Sequence, residues 1–125
     1  MEINSEIIIK TSIVGFHNWK DAPKEVEFLR NRHRHMFNIK VGMPVTEHDR
    51  QLEFFIEGDK LQTSLIHLFN RNGWGHIEFG GMSCEMIATQ ILKSRSYYSW
   101  VEVWEDDENG ARVESNPLIT INERL

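Results

Sequence analysis

At 125 residues the chain suits a single domain, residues 1–125, with room for a core. A net charge of −5 excludes nucleic-acid binding by general electrostatics, and four Trp, two Tyr and seven Phe exclude a disordered chain. Its apolar runs fall short of the about 18–20 residues of a membrane span, and no basic-then-apolar secretion signal opens it. The single cysteine excludes an internal disulfide and suits a reducing compartment, so a cytoplasmic protein with neither membrane nor nucleic-acid partner is expected.

Taken in order, residues 6–16 are rich in β-branched side chains (Ile7, Ile8, Ile9, Thr11, Ile13, Val14) and read as a strand. Residues 17–32 are polar, contain Ala22-Pro23 and lack a clean period. They read as a long loop with one helical turn at 24–29, and long loops in compact domains are often functional. Residues 33–41 form a second predicted strand, which Gly42-Met43-Pro44 interrupts, and residues 51–56 a further extended piece. Leu61, Leu65, Ile66, Leu68 and Phe69 lie on a helical spacing within 59–70, started by Gly58 and Asp59 and stopped by Gly73. Residues 72–81 read as a Gly-rich loop carrying Trp74 and His76. A second helix is expected over 83–94, with Ser83 as N-cap and Ile87, Ala88, Ile91 and Leu92 as its buried stripe. Residues 97–105 alternate as a strand, with Val101, Val103 and Glu105 sharing a face. Asn109-Gly110, closing an acidic run, reads as a hairpin turn, residues 111–114 as the returning strand, and the tail from Asn116 as a short strand or interface segment. The expected class is α+β: a four-stranded antiparallel sheet with two helices on one face, in the order ββααββ. Its two free edges invite pairing between copies.

Chemistry concentrates in three runs. His33 and His35 stand two apart on a strand and so share a face; with a third imidazole they could hold Zn²⁺ with one position open. Arg30, Arg32 and Arg34 beside them disfavour a cation, could attract a phosphate, and leave open a reading of two surface histidines. Glu105 either begins a solvated acidic turn or points inward, where its carboxylate could accept two parallel N–H bonds from a ligand. Glu85 suits the dipole of a helix N-terminus, whose free N–H groups could also meet a ligand. Cys84 reads as a small buried residue or, less simply, as a reactive thiol. His76 is a loop histidine or a proton carrier. Trp74, Trp100 and Trp104 could stack on a flat ligand or serve core and subunit contacts.

Together these runs resemble the 6-pyruvoyl- and 6-carboxy-tetrahydropterin synthases, of the T-fold (tunnelling fold) class. His33-Arg34-His35 resembles the family's His-Gly-His strand, which supplies two of three zinc ligands. Ser83-Cys84-Glu85-Met86-Ile87-Ala88 resembles its Thr-Thr-Glu-Asn-Val-Ala helix start, and Val101-Glu102-Val103-Trp104-Glu105 its Val-x-Val-x-Glu strand, whose last Glu anchors the pterin. The resemblance covers roughly residues 6–114. It implies His17, after Phe16, as the third zinc ligand, and Ser83, Cys84, Glu85 and Glu105 as ligand-binding residues. The chain departs from the pattern at Leu29, where the family has a Cys, and at Phe69-Asn70, near where it has an Asp-His dyad. One subfamily uses Glu in place of that Cys, and Glu27 could serve if the loop is two residues longer; with His76 it completes the catalytic candidates.

The resemblance thus implies a T-fold homo-oligomer, larger than a dimer and with a hexamer as one form, that binds a pterin or guanine-derived heterocycle between subunits. As an enzyme it would be a zinc-dependent lyase on a dihydroneopterin triphosphate-like substrate. The alternatives are a binding or sequestering protein that kept the pocket without the chemistry, and a purely structural oligomer.

Overall fold

In the computed structural model, which describes residues 1–115, the two longest strands are neighbours. β1 (Ser5–His17) and β2 (His33–Val45) pair antiparallel along their whole length, from Ser5 opposite Val45 to His17 opposite His33. Side chains alternate across the sheet, so Ile9 of β1 and Phe37, Ile39, Val41 and Met43 of β2 are buried on one face. β5 (Trp100–Glu105) continues that face with Val101 and Val103, and β6 (Asn109–Glu114) with Ala111 and Val113. α1 (Phe54–Leu68) contributes Leu61 and Leu65 to this core, and α2 (Cys84–Lys93) contributes Ile87, Ala88 and Ile91. Burial of the Val, Leu, Ile, Phe and Met side chains among these, each stabilising by about 1.5–3 kcal/mol when fully buried, fixes the helices on one side of the sheet.

The sheet departs from the expected four antiparallel strands. Two short strands, β3 (Asn70–Arg71) and β4 (Ile77–Gly80), extend it to six in the order β3-β4-β1-β2-β5-β6. β4 runs parallel to β1 and meets it only at Gly15, Phe16 and His17, so the sheet is mixed. The expected Gly-rich loop is a hairpin because Asn72 folds it: its Oδ1 accepts from the backbone N–H of Trp74 at 2.9 Å and of His76 at 3.1 Å. Ile77 and Phe79 can then enter the core.

Other boundaries moved, β5 among them, which starts at Trp100 rather than at 97. β2 runs unbroken through Gly42-Met43-Pro44. The Gly42 carbonyl accepts from Ser99 on the β5 side, so the nitrogen of Pro44 faces that same side, beyond the last β5 partner, and its missing N–H leaves no gap in the ladder. Gly42 itself makes room for the Trp100 indole, since a Cβ there would sit 2.0 Å from its Nε1. α1 begins at Phe54, inside the expected extended piece, because the Glu53 carboxylate accepts from the Phe55 N–H at 2.6 Å and caps the helix. The last hairpin turns at Asp106 and Asp107, both with positive φ, while Asn109 already pairs with Glu105. The expected loop at 17–32 begins after His17, which ends β1, and holds a 3₁₀ helix, Lys24–Arg30, where one helical turn was expected. The expectation for the tail from Asn116 lies outside the described residues.

Candidate metal centre and pocket

β1 ends and β2 begins at the same end of the sheet, and their register sets His17 opposite His33 and His35 opposite Gly15. All three histidines occupy core-face positions. The rings stand edge to face, with centroids 4.6 Å apart for His17 and His33, 4.9 Å for His33 and His35, and 5.3 Å for His17 and His35. One potential ligand atom from each lies within 4.8 Å of the other two. Phe37, next along the same face, closes the cluster from below, its ring 5.3 Å from that of His17 and 5.6 Å from that of His35.

What each ring does with its other nitrogen sets the chemistry. Nδ1 of His17 lies 2.9 Å from the Met82 carbonyl, and Nδ1 of His33 lies 2.8 Å from the Asn31 carbonyl. Nδ1 of His35 lies 2.6 Å from Oδ2 of Asp106. Carbonyl and carboxylate oxygens only accept, so every Nδ1 is the donor and every neutral ring keeps its lone pair on Nε2. The Nε2 atoms of His33 and His35 are buried and, among the described residues, have no hydrogen-bond partner. Burial holds His17 below the ordinary imidazole pKa, against the opposing pull of the Met82 carbonyl and the Glu105 charge; His33 and His35 lower it further. Neutral imidazoles oriented by outer acceptors, with unpaired nitrogens turned to one another, are the donor set that Zn²⁺ takes. Asp106 stays ionised for its part, its pKa lowered first by the His35 bond and then by the Met36 N–H.

Beside this cluster lies a pocket of ≈ 530 Å³ whose wall includes His17, His33, Trp19, Leu29, Cys84 and Glu105. The N-terminus of α2 forms part of that wall through Ser83, Cys84 and Glu85. Ser83 caps the helix, its Oγ accepting from the Met86 N–H at 3.2 Å, and Glu85 is exposed in the first turn. Cys84 is buried, and its Sγ donates to Oε1 of Glu105 at 3.4 Å. Burial, aided by the Glu105 charge, pushes this thiol up to about 12, so at neutral pH it is a protonated donor. Glu105 lies at the end of β5 on the face of Val101 and Val103, with its side chain 28% exposed.

The structure thus gathers His17, His33, His35, Ser83, Cys84, Glu85 and Glu105 at one end of the sheet. It does not bring Glu27 and His76 there. Glu27 sits on the 3₁₀ helix, 4.0 Å from Arg30, and His76 lies on the β3–β4 hairpin with its ring 5.9 Å from that of Phe16. Asp106 and the carbonyls of Asn31 and Met82 are site groups the sequence reading missed. Two are backbone atoms without a sequence signature, and Asp106 was hidden in an acidic run. Trp19 and Leu29 reach the pocket because the loop is tied down, the Trp19 N–H donating to the Leu29 carbonyl at 2.7 Å.

A mixed sheet is covered on one face by two helices, with its two longest strands paired and a histidine cluster at one end. Specifically, the structure matches that of 6-pyruvoyl tetrahydropterin synthase from Caenorhabditis elegans at a TM-score of 0.64 and 12% identity, covering 91% of this chain and 97% of that one. It also matches the uncharacterized protein WS1659 from Wolinella succinogenes at a TM-score of 0.63 and 15% identity, over 92% of this chain and 100% of the other. At these identities the likeness is one of fold, and the chain has the tetrahydropterin synthase-like fold that its motifs resemble. No family model and no curated protein sequence matches it.

Proposed function

We propose that the chain binds a flat pterin or guanine-derived heterocycle in this pocket, against a zinc ion held by His17, His33 and His35. The observation that carries the reading is the set of three clustered imidazoles, each with Nδ1 committed to an outer acceptor, two of which, His17 and His33, line the pocket. Zinc bound there supplies Lewis acidity toward a carbonyl or hydroxyl of the ligand. Glu105 offers a carboxylate to paired ring N–H donors. The start of α2 adds backbone donors, and Trp19, Leu29 and Met86 add apolar wall. Trp19 and Met86 are about half exposed at the pocket, as expected of a site that a second subunit completes.

Lyase action on a dihydroneopterin triphosphate-like substrate needs a residue to move protons. A non-catalytic binding or sequestering role is the second reading, and particular residues favour it. Leu29 stands where the resemblance places a Cys, the Cys84 thiol is held protonated, and Glu27 and His76 lie away from the pocket. Calorimetric titration of the zinc-loaded protein tests the binding claim. Pterins and guanine derivatives should bind about tenfold or more tighter than adenine derivatives, which lack the paired donors, a gap worth one hydrogen bond to a charged group. Equal or absent binding contradicts the claim. Turnover of dihydroneopterin triphosphate in the same samples separates lyase from binder.

A further inference from the structure

Both carboxylate oxygens of Glu105 face the histidine cluster. With Nδ1 of each ring spent as a donor, Nε2 presents a lone pair. Yet Oε1 of Glu105 lies 3.3 Å from Nε2 of His17, and Oε2 lies 3.2 Å from Nε2 of His35. A carboxylate oxygen facing a lone pair is repelled unless a cation lies between them. Two ligands of one tetrahedral ion, each about 2.0–2.1 Å from it, stand about 3.3 Å apart, which is the separation of the carboxylate oxygens from these two nitrogens. One ion shared by the rings and the carboxylate satisfies all of them.

We infer that Glu105 is the fourth ligand of the zinc centre, so that the ligand-free protein holds a closed set of three histidines and one glutamate; this rests on the three-histidine reading above. Three protein ligands leave the open position of a catalytic zinc, whereas four make the closed set of a structural one. The surroundings of Glu105 suit a ligand. Its backbone pairs with Phe37 in the sheet, which fixes its place. The next residue, Asp106, holds Nδ1 of His35, so adjacent positions deliver a ligand and the acceptor that orients another. Cys84 donates to Oε1 and orients the carboxylate in the same way. A heterocycle that draws on Glu105 must take it from the metal, so ligand binding opens the fourth position.

The test is visible absorption of the full chain loaded with Co²⁺, with azide as the added probe. Wild-type protein should show an intense four-coordinate band that azide leaves unchanged. Glu105→Gln, checked for folding by circular dichroism, should bind Co²⁺ more weakly by at least about tenfold, the smallest loss typical of even an outer partner. Its band should shift on adding azide. A wild-type band that shifts with azide overturns the closed set and needs no variant to show it. Equal Co²⁺ affinity and an unchanged band in Glu105→Gln overturn Glu105 as a ligand. Both results leave the three-histidine centre standing. Wild-type protein that binds neither Co²⁺ nor Zn²⁺ overturns the centre itself, and this inference with it.

Discussion

Glu78 is the residue that ties the histidine strands to the small hairpin. Arg32, just before β2, donates to it through two nitrogens at 2.8 and 2.7 Å, and Asn72 adds a third bond at 2.7 Å. The same guanidinium lies 3.6 Å from the centre of the Phe16 ring. The Arg32 bond is the main reason the Glu78 pKa falls to about 2 from its ordinary 4.5. Between those values the folded chain binds fewer protons than the unfolded one, so stability rises with pH. The contribution is complete above 4.5 and is lost as the pH falls from there to about 2. Solvent screens this exposed pair, so the loss should be small. Denaturant unfolding at a series of acid pH values checks it. Glu78→Gln should be less stable at neutral pH and show a shallower acid limb, whereas an unchanged limb contradicts the assignment. At this scale the site was partly legible. His33 and His35 announced themselves by spacing, and Glu105 by alternation with Val101 and Val103. The partners that make them a site are backbone carbonyls and one aspartate brought in by the fold.

Among the elements, those with one strong periodic signal were read closely. β1 and α2 lie within one or two residues of expectation, α2 because Ser83 caps it and its stripe of Ile87, Ala88 and Ile91 is fully buried. Errors came where a local signal served another purpose. Phe54, Phe55 and Ile56 gave an extended-strand signal, yet they are exposed and open α1 under the Glu53 cap. Gly42 and Pro44 read as an interruption, but one makes room for Trp100 and the other turns its missing donor to an unpaired edge. Gly110 gave a turn signal, yet a Cβ there would meet the Trp104 ring at 2.6 Å, so the glycine serves that indole while Asp106 and Asp107 make the turn. Such tertiary demands on a residue leave no trace in its neighbours along the chain.

For the whole molecule, the sheet is covered on one face and open in its pairing. Among the described residues, positions 5–14 of β1 pair with β2 alone, and β6 has β5 as its one neighbour. Unpaired edges of this length invite another strand. Edge pairing between copies should give an assembly larger than a dimer, a hexamer being one such form. Light scattering at micromolar concentration checks the mass, and a stable monomer there contradicts edge pairing. The central claim concerns the cluster where β1 ends and β2 begins. It is tested most directly by elemental analysis of protein grown and purified with zinc. The wild-type chain should carry about one zinc, the stoichiometry of one tetrahedral site. The double variant His33→Ala/His35→Ala should carry none while keeping its circular dichroism spectrum. Wild-type protein that stays free of zinc, or a double variant that keeps it, contradicts the account.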